Sequence, residues 1–397
     1  MVRFFWPWRH CNGCCLRFPA GFAKIGVMFK PKFMISNRLL KMIGQVEASR
    51  EVINNAPLVP AWEAKFKEDA VVRTVHFGTH VEGNDLTLEQ AERVVRQEPK
   101  RDDLASDIAE RAGIVARDRD VQEVINYRNV LKYIDGLLSD YLERGGAFEY
   151  TQQQLLQIHS LTMERVIEPH KVGVYRQEQV VIRGVKDGEV VYRPPNAVEV
   201  PYQVEDFFIW LNSDEARDLH PVIKAGVVHF ELSRIHPFVE GNGRVARAVA
   251  LLVLAVEGID ARRFFSIEEN FDRNVEAYYD AFTTVFESSG DLTSWLEFFA
   301  EAMAVEMEKV KDRVKKLSVD SRLKGRMGKQ IALKERQIRL IEYLESHEWM
   351  TMTEARKLLP MVSDDTILRD LKDLMKKNLI KKRGKTKGAK YSLKVLR

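Results

Sequence analysis

The chain has 397 residues, 45% of them hydrophobic and 30% charged, with a formal net charge of +4. That composition points away from fibrous or wholly disordered chains and leaves room for two or three domains with cores of their own. No apolar run approaches the roughly eighteen residues of a membrane span. The three cysteines, Cys11, Cys14 and Cys15, sit together at the start, which argues against a disulfide-stapled secreted fold and for a cytoplasmic one.

Residues 1–27 combine Phe4, Phe5, Trp6, Trp8, the cysteines and scattered arginines without the apolar core of a signal peptide. They read as a leader outside the fold, with Met28 as an alternative start. Cys11-x-x-Cys14 has the spacing of half a zinc site, but no second ligand pair lies close by. Apolar residues at helical spacing then predict helices over 36–54 and 61–77, the second with Trp62, Phe66 and Val72 on one side, separated by Pro57 and Pro60. Gly78-Thr-His-Val-Glu82-Gly83-Asn84-Asp85 reads as a helix stop, and Thr87-Leu-Glu-Gln90 as the capping box of the next helix. Residues 104–142 are mostly helical by pattern, and Thr151 caps a further helix carrying Leu155, Leu156, Ile158, Leu161 and Met163.

One strand pair interrupts this helical array. Gln179–Arg183 and Glu189–Arg193 flank Lys186-Asp187-Gly188, a turn of Asp-Gly type, before Pro194-Pro195 ends the pairing. A lone hairpin is marginal and must lie over something else. A helix over 201–212 follows, then a buried helix over 221–235 that Pro237 cannot continue, which leaves His236 at its exit. Gly241 and Gly243 allow a tight turn, and the nearly all-apolar stretch 245–256 forms a second buried helix.

The turn between these helices concentrates chemistry. The first N–H groups of the second helix have no partner within it, and its dipole adds partial positive charge, so Gly241-Asn242-Gly243 is an anion cradle suited to phosphate. Arg244 in the first turn opposes the dipole and Arg247 interrupts an apolar face; both placements cost stability unless an anion compensates. Glu240 offers oxygen to a hard cation such as Mg²⁺, and His236 is a base near neutral pH.

The stretch His-Pro-Phe-Val-Glu-Gly-Asn-Gly-Arg-Val-Ala-Arg from His236 to Arg247 resembles the HPFx(D/E)GNGRxxR signature of Fic-domain proteins, most of which transfer AMP from ATP to a hydroxyl of a target protein. The resemblance extends over roughly 40–305, through Gly173-Val-Tyr-Arg176 before the hairpin and the segments beginning at Phe265, Arg273 and Asp291. It implies His236 as the base on the target hydroxyl, Glu240 as the Mg²⁺ ligand, and Asn242 with the Gly241 and Gly243 amides on the α- and β-phosphates of ATP. Arg244 and Arg247 would hold the polyphosphate. The hairpin 179–193 would be a flap that docks the target by strand addition, and Tyr278 or Tyr279 would line the nucleoside pocket, although aromatics at helical spacing are more often core. Many such proteins carry an inhibitory (S/T)xxxE(G/N) motif whose glutamate pairs with the second arginine. Here that implies Glu82 with Arg247, with Gly78 in the Ser/Thr place and Thr79 beside it.

Residues 303–335 shift to Lys, Arg and Glu with apolar Val305, Val310, Val314 and Leu317 at helical spacing, a helical linker loosened at Gly325 and Gly328. Helices over 337–344, 353–359 and 364–377 and two short strands around Gly384 and Gly388 follow. With Ser-x-x-Thr-Ile-Leu-Arg-Asp-Leu from Ser363, they resemble a winged helix-turn-helix. From Leu371 on there are eleven Lys and Arg against Asp373 alone, +10 in a chain of net +4, so the other residues carry −6. Such a basic wing suits a DNA backbone, while docking or a homodimer contact stays open.

The expected fold is therefore mainly α: a leader (1–27), an N-terminal helical segment with the inhibitory motif (28–100), a Fic-type core with a β-hairpin flap (101–305), a linker (306–335) and a winged helix (336–397). The expected activity is autoinhibited AMP transfer from Mg·ATP to Ser, Thr or Tyr of a protein, and to the chain itself. A DNA-binding regulator with a Fic switch and an AMP-removing hydrolase are the alternatives.

Overall fold

The computed structural model describes residues 29–56, 58, 60–98, 103–183, 190–260, 263–327, 334–360, 362–384 and 389–394. The leader with its cysteines, Pro57, the turn Lys186-Asp187-Gly188, Gly328 and Gly388 lie outside them.

Helix starts follow local signals. Ser36 accepts the Leu39 N–H ahead of α1 (Asn37–Asn55), and Pro60, whose missing N–H costs nothing at a first helical position, opens α2 (Pro60–His80). Gly78 lies inside α2, which runs past the expected end at 77 to His80; a turn over 81–83 follows, closed by Gly83 at φ 91°. Thr87 and Gln90 exchange both bonds of a capping box before α3 (Leu88–Val95). The stretch expected to be mostly helical over 104–142 is two helices, α4 (Ala105–Ala112) and α5 (Asp118–Arg144), parted where Gly113 turns left-handed. A second capping box, Thr151 with Gln154, opens α6 (Gln152–Met163).

The hairpin pairs over β1 (Ile182–Arg183) and β2 (Val190–Tyr192), antiparallel, with Ile182 opposite Tyr192 and an irregularity before Arg183 meets Val190. The paired residues are fewer than the apolar pattern, with Glu189 outside the described residues; at the base of the hairpin Gln179 Nε2 donates to Pro194 O across its two legs, and Tyr192 Oη donates to Arg234 O on α9. Then come α7 (Val200–Leu211), the short α8 (Asp214–Arg217), α9 (Pro221–Ile235), α10 (Asn242–Val256), α11 (Glu268–Arg273), α12 (Val275–Glu287) and α13 (Thr293–Met327).

The α9–α10 pair forms the centre, with almost every residue of both helices buried, and α2, α5, α6 and α13 pack around it. The expected boundary at 305/306 falls inside α13, a continuous helix of 35 residues whose first half packs against α9 and α1. Its buried stripe is Met303, Met307, Val310 and Val314; Val305, expected on that stripe, is two residues out of phase and 40% exposed. Beyond it, α14 (Glu335–Ser346), α15 (Met352–Leu358), α16 (Asp364–Lys376), β3 (Ile380–Arg383) and β4 (Lys390–Leu393) enclose a small core of Leu340, Leu344, Ile367, Leu371 and Tyr391. Among the described residues no helix is long and apolar enough to cross a membrane.

Candidate active site

The site forms where α9 ends and α10 begins. Pro237 disfavours right-handed helical geometry at His236, which closes α9 in the left-handed region (φ 52°, ψ 60°), a conformation a non-glycine residue keeps only when its surroundings hold it. His236 Nδ1 lies 3.2 Å from Ser233 O. A carbonyl only accepts, so Nδ1 carries the proton and Nε2 keeps its lone pair. Burial pushes the ring down to about 4, outweighing the Ser233 carbonyl and Glu82, which favour the charged form; Arg176 adds to the depression. At neutral pH the ring is a base with one free nitrogen.

The loop after it is braced from both sides. Asn242 accepts from the Phe238 N–H and donates to Phe238 O, both at 2.9 Å, and its side chain is 3% exposed. Its amide group, expected to face phosphate, is thus spent on shaping the loop. His159 on α6 stacks on Phe238 (3.8 Å, 3° between planes), accepts the Gly173 N–H at Nδ1 and donates from Nε2 to Glu240 O at 3.2 Å. At Gly241 (φ 82°) a Cβ would fall 2.5 Å from Met163 Sδ, so only glycine fits.

The charged groups of the site are paired by the N-terminal half of the chain. Arg247 is 1% exposed; its Nη2 donates to Glu82 Oε1 at 2.8 Å and to Gly78 O at 2.9 Å, while Nε and Nη1 find no partner. Arg244 Nη1 lies 3.1 Å from Glu123 without an aligned hydrogen bond, and its Nε is likewise unpartnered. Glu240, its side chain 39% exposed, is bonded by Arg119 from α5 and lies 3.9 Å from Arg244. Burial alone would raise the Glu82 carboxyl, but Arg247 and Arg244 outweigh it and hold it below the usual carboxylate range. Glu82 Oε1 occupies the space above Gly243: a Cβ there would come within 2.2 Å of it.

Unpartnered buried donors on two guanidinium groups beside a glycine turn are what an oligophosphate requires, so the residues fit ATP. Glu240 fits Mg²⁺, which binds through one or two carboxylates and otherwise keeps water and phosphate oxygens.

Residues 149–254 match the Fic/DOC family. This stretch of the chain, with the site at its end, resembles a Fic domain. It is 28% identical over 192 residues to the protein adenylyltransferase Fic of Drosophila grimshawi, covering 48% of this chain and 34% of that one. The same-named protein of Drosophila erecta is 24% identical over 225 residues, covering 57% and 40%. The chain thus spans well under half the length of these curated relatives. Among solved structures, a Fic family protein from Desulfovibrio desulfuricans G20 superposes with a TM-score of 0.59 at 21% identity, over 93% of this chain and all of that one. Fic-1 (aa134–508) from C. elegans gives 0.53 at 22%, over 71% and 73%. At such identities the superpositions speak for the fold.

The Fic match holds His236, Glu240, Gly241, Asn242, Gly243, Arg244 and Arg247 but neither Glu82 nor the tyrosines of α12. Tyr278 is 3% exposed, stacked on Phe271 with its hydroxyl 2.9 Å from His229 Nε2. It therefore packs within the aromatic core behind Arg247, whereas Tyr279, 43% exposed, keeps a face towards solvent. The Thr79 hydroxyl does not bond Glu82, since it turns back to Val75 O and His76 O within α2; Thr79 meets Glu82 only through its carbonyl, which accepts the Glu82 N–H at 3.0 Å. The place next to Gly78 is filled by Tyr127, whose Cε1 would lie 2.5 Å from a Cβ there. Tyr127, His159, Arg119 and Glu123 also bear on the site, yet in sequence they are single polar residues on otherwise ordinary segments; Arg176 stands out there only as the end of the resembling Gly173-Val-Tyr-Arg176 stretch.

Proposed function

We propose that this chain transfers AMP from ATP to a Ser, Thr or Tyr hydroxyl of a protein, itself included, and that Glu82 restrains it. The observation that carries the reading is a neutral His236, with Nε2 unprotonated, next to the unpartnered donors of Arg244 and Arg247. The name of the curated relatives, protein adenylyltransferase, points the same way.

On this reading His236 Nε2 accepts the hydroxyl proton as the oxygen attacks the α-phosphorus. The new O–P bond forms as the bond to the bridging oxygen of pyrophosphate breaks. Arg244 and Arg247 offset the charge of the phosphates, and the first amides of α10 donate to them. Mg²⁺ held at Glu240 would neutralise charge on the phosphates. The hairpin 179–193 would take the target as an added strand. Glu82 on Arg247 competes with the γ-phosphate for one guanidinium, so nucleotide would settle in a pose unsuited to attack.

The test is incubation with ATP labelled at the α- or the γ-phosphate, with and without candidate targets. AMP transfer leaves α-label and no γ-label on protein, and His236→Ala must abolish it; labelling that survives in a folded His236→Ala chain refutes the reading. The same chain offered AMP-modified protein tests the reverse, hydrolytic activity.

A second reading concerns 336–397, proposed as a winged helix on DNA. It is favoured by β3, where Ile380 points inward while Lys381, Lys382 and Arg383 are exposed. Binding that weakens steeply with salt, and is lost on deleting 330–397, would support it.

A further inference from the structure

Arg176 lies between the hairpin and the base, and it is buried (2% exposed) without a carboxylate partner among the described residues. A buried guanidinium is tolerated only when its donors are satisfied, and here backbone carbonyls do this. Nε donates to His236 O at 2.8 Å and Nη2 to Ile235 O at 3.4 Å, the last carbonyls of α9, which have no acceptor role inside the helix. A cation is favoured at that end of the helix dipole. The remaining bonds run the other way: Nη1 to Glu178 O at 3.1 Å, just before β1, and Nη2 to Pro195 O at 2.6 Å, just after β2. The Arg176 N–H itself donates to Pro237 O at 2.9 Å.

One planar group thus ties four carbonyls from three segments: the exit of α9 and the stretches that lead into and out of the hairpin. We propose that Arg176 is a positioning residue that clasps the flap to the His236 turn, fixing the left-handed geometry of the base and its distance from the docked strand in a single contact. The clasp rests on the reading of His236 as base and the hairpin as target dock. Only an arginine does this. Lysine keeps the charge but replaces a rigid fork with a point donor on a flexible stem, unable to span carbonyls on opposite sides of a plane. Arg176 also bears on the base electrostatically, since its charge is among the causes that hold the His236 ring neutral.

The test uses the full chain in a Glu82→Gly background, comparing Arg176 with Arg176→Lys. The clasp predicts ATP affinity within about twofold of the parent, kcat for transfer to a fixed protein target reduced tenfold or more, and amide exchange at Val190 and Tyr192 at least tenfold faster, with α10 amides unchanged. A neutral Arg176→Gln should in addition raise the pH at which the His236 ring titrates by NMR, which a purely packing role would not do. Unchanged hairpin exchange with unchanged kcat overturns the proposal, as does a loss shared equally by ATP affinity and turnover. Should Arg176→Lys fail to fold, the unmodified protein decides. The Arg176, Tyr192 and Phe238 amides must then exchange through one common opening, and separate rates for the three overturn the clasp. If the Glu82→Gly parent transfers no nucleotide at all, it is the reading of the activity that fails, and the exchange data alone judge the clasp.

Discussion

Replacing Glu82 by Gly should destabilise the resting protein and, by the same amount, improve its grip on ATP. Arg247 is 1% exposed and loses its salt bridge to Glu82 in this variant, keeping among the described residues a bond to Gly78 O, with Nε and Nη1 already unpartnered. Breaking a buried pair by removing one partner costs about 3–5 kcal/mol. The Glu82 side chain is 27% exposed, so water entering the space lowers the cost to about 2–3 kcal/mol. At ~2–4 °C per kcal/mol for a domain of this size, that is a fall in Tm of about 4–12 °C. In the parent, a γ-phosphate must first displace the carboxylate; in the variant it meets a bare guanidinium. The same about 2–3 kcal/mol then corresponds to a ceiling of roughly 30–150-fold in ATP affinity, seen as a larger nucleotide-induced rise in Tm. The sign with pH follows from the depressed Glu82 carboxyl. The stabilisation is fully present above the ordinary carboxylate pKa and is lost only as pH falls through the lower folded value, so parent and variant should converge only in strong acid. Thermal unfolding with and without Mg·ATP, backed by calorimetric titration, measures all of this. A Glu82→Gly protein as stable as its parent, with the same response to ATP, would refute the reasoning.

Gly243→Ala should expel Glu82 by contact, because the new Cβ falls 2.2 Å from Oε1; a crystal structure or NMR of the variant must find the Glu82–Arg247 bond broken, and an intact bond refutes the prediction. Gly78→Ser restores the residue type the inhibitory motif prefers, yet should destabilise by about 1–3 kcal/mol through overpacking against Tyr127, with Tyr127→Ala relieving the loss in a double-mutant cycle. Because burial holds His236 near 4 and removing the Glu82 carboxylate takes away a cause that favours its charged form, the pH–rate profile of Glu82→Gly should stay flat from about pH 8 to 5.5; an inflection near the ordinary histidine value of ~6.5 contradicts it. Arg119→Ala should free Glu240 and tighten Mn²⁺ binding in the presence of a non-hydrolysable nucleotide, read by EPR. An exposed pair is worth about 0.2–1 kcal/mol, so the gain is at most about fivefold.

What was legible in the sequence was local. Capping boxes at Thr87 and Thr151, the proline that ends α9 and the glycines that open α10 each act within four residues, and each shapes its element as read. The pairing of Glu82 with Arg247 spans 165 residues and was reachable only through resemblance. Nothing local marks Arg176 as the clasp of a hairpin, or His159 as the ring under Phe238, because a lone Arg or His says nothing of which distant carbonyls it will meet. Tyr278 shows the converse. Its spacing suits a pocket wall and a core equally, and only the structure shows that the ring packs in a cluster with Phe271, Phe282 and Trp295.

Each charged group that would face Mg·ATP is met in the resting chain by an opposite charge from the N-terminal half: Arg247 by Glu82, Arg244 by Glu123, Glu240 by Arg119. The chain imitates its proposed ligand, carboxylates standing for phosphates and a guanidinium for the cation. The three pairs differ in depth, and that sets their weight. Arg119 is half exposed and its pair exchanges readily with solvent ions, so it tunes cation affinity without barring it. Glu123 is itself buried and is bonded by Asn84 and Arg119, so Arg244 has no simple route to release. Glu82 alone combines a fully buried partner with a partly open side chain at the end of a helix, where a small shift of the chain past Gly83 would withdraw it. Of the three, it is the contact whose loss changes the charge offered to phosphate without dismantling the fold, and so the one on which regulation would act.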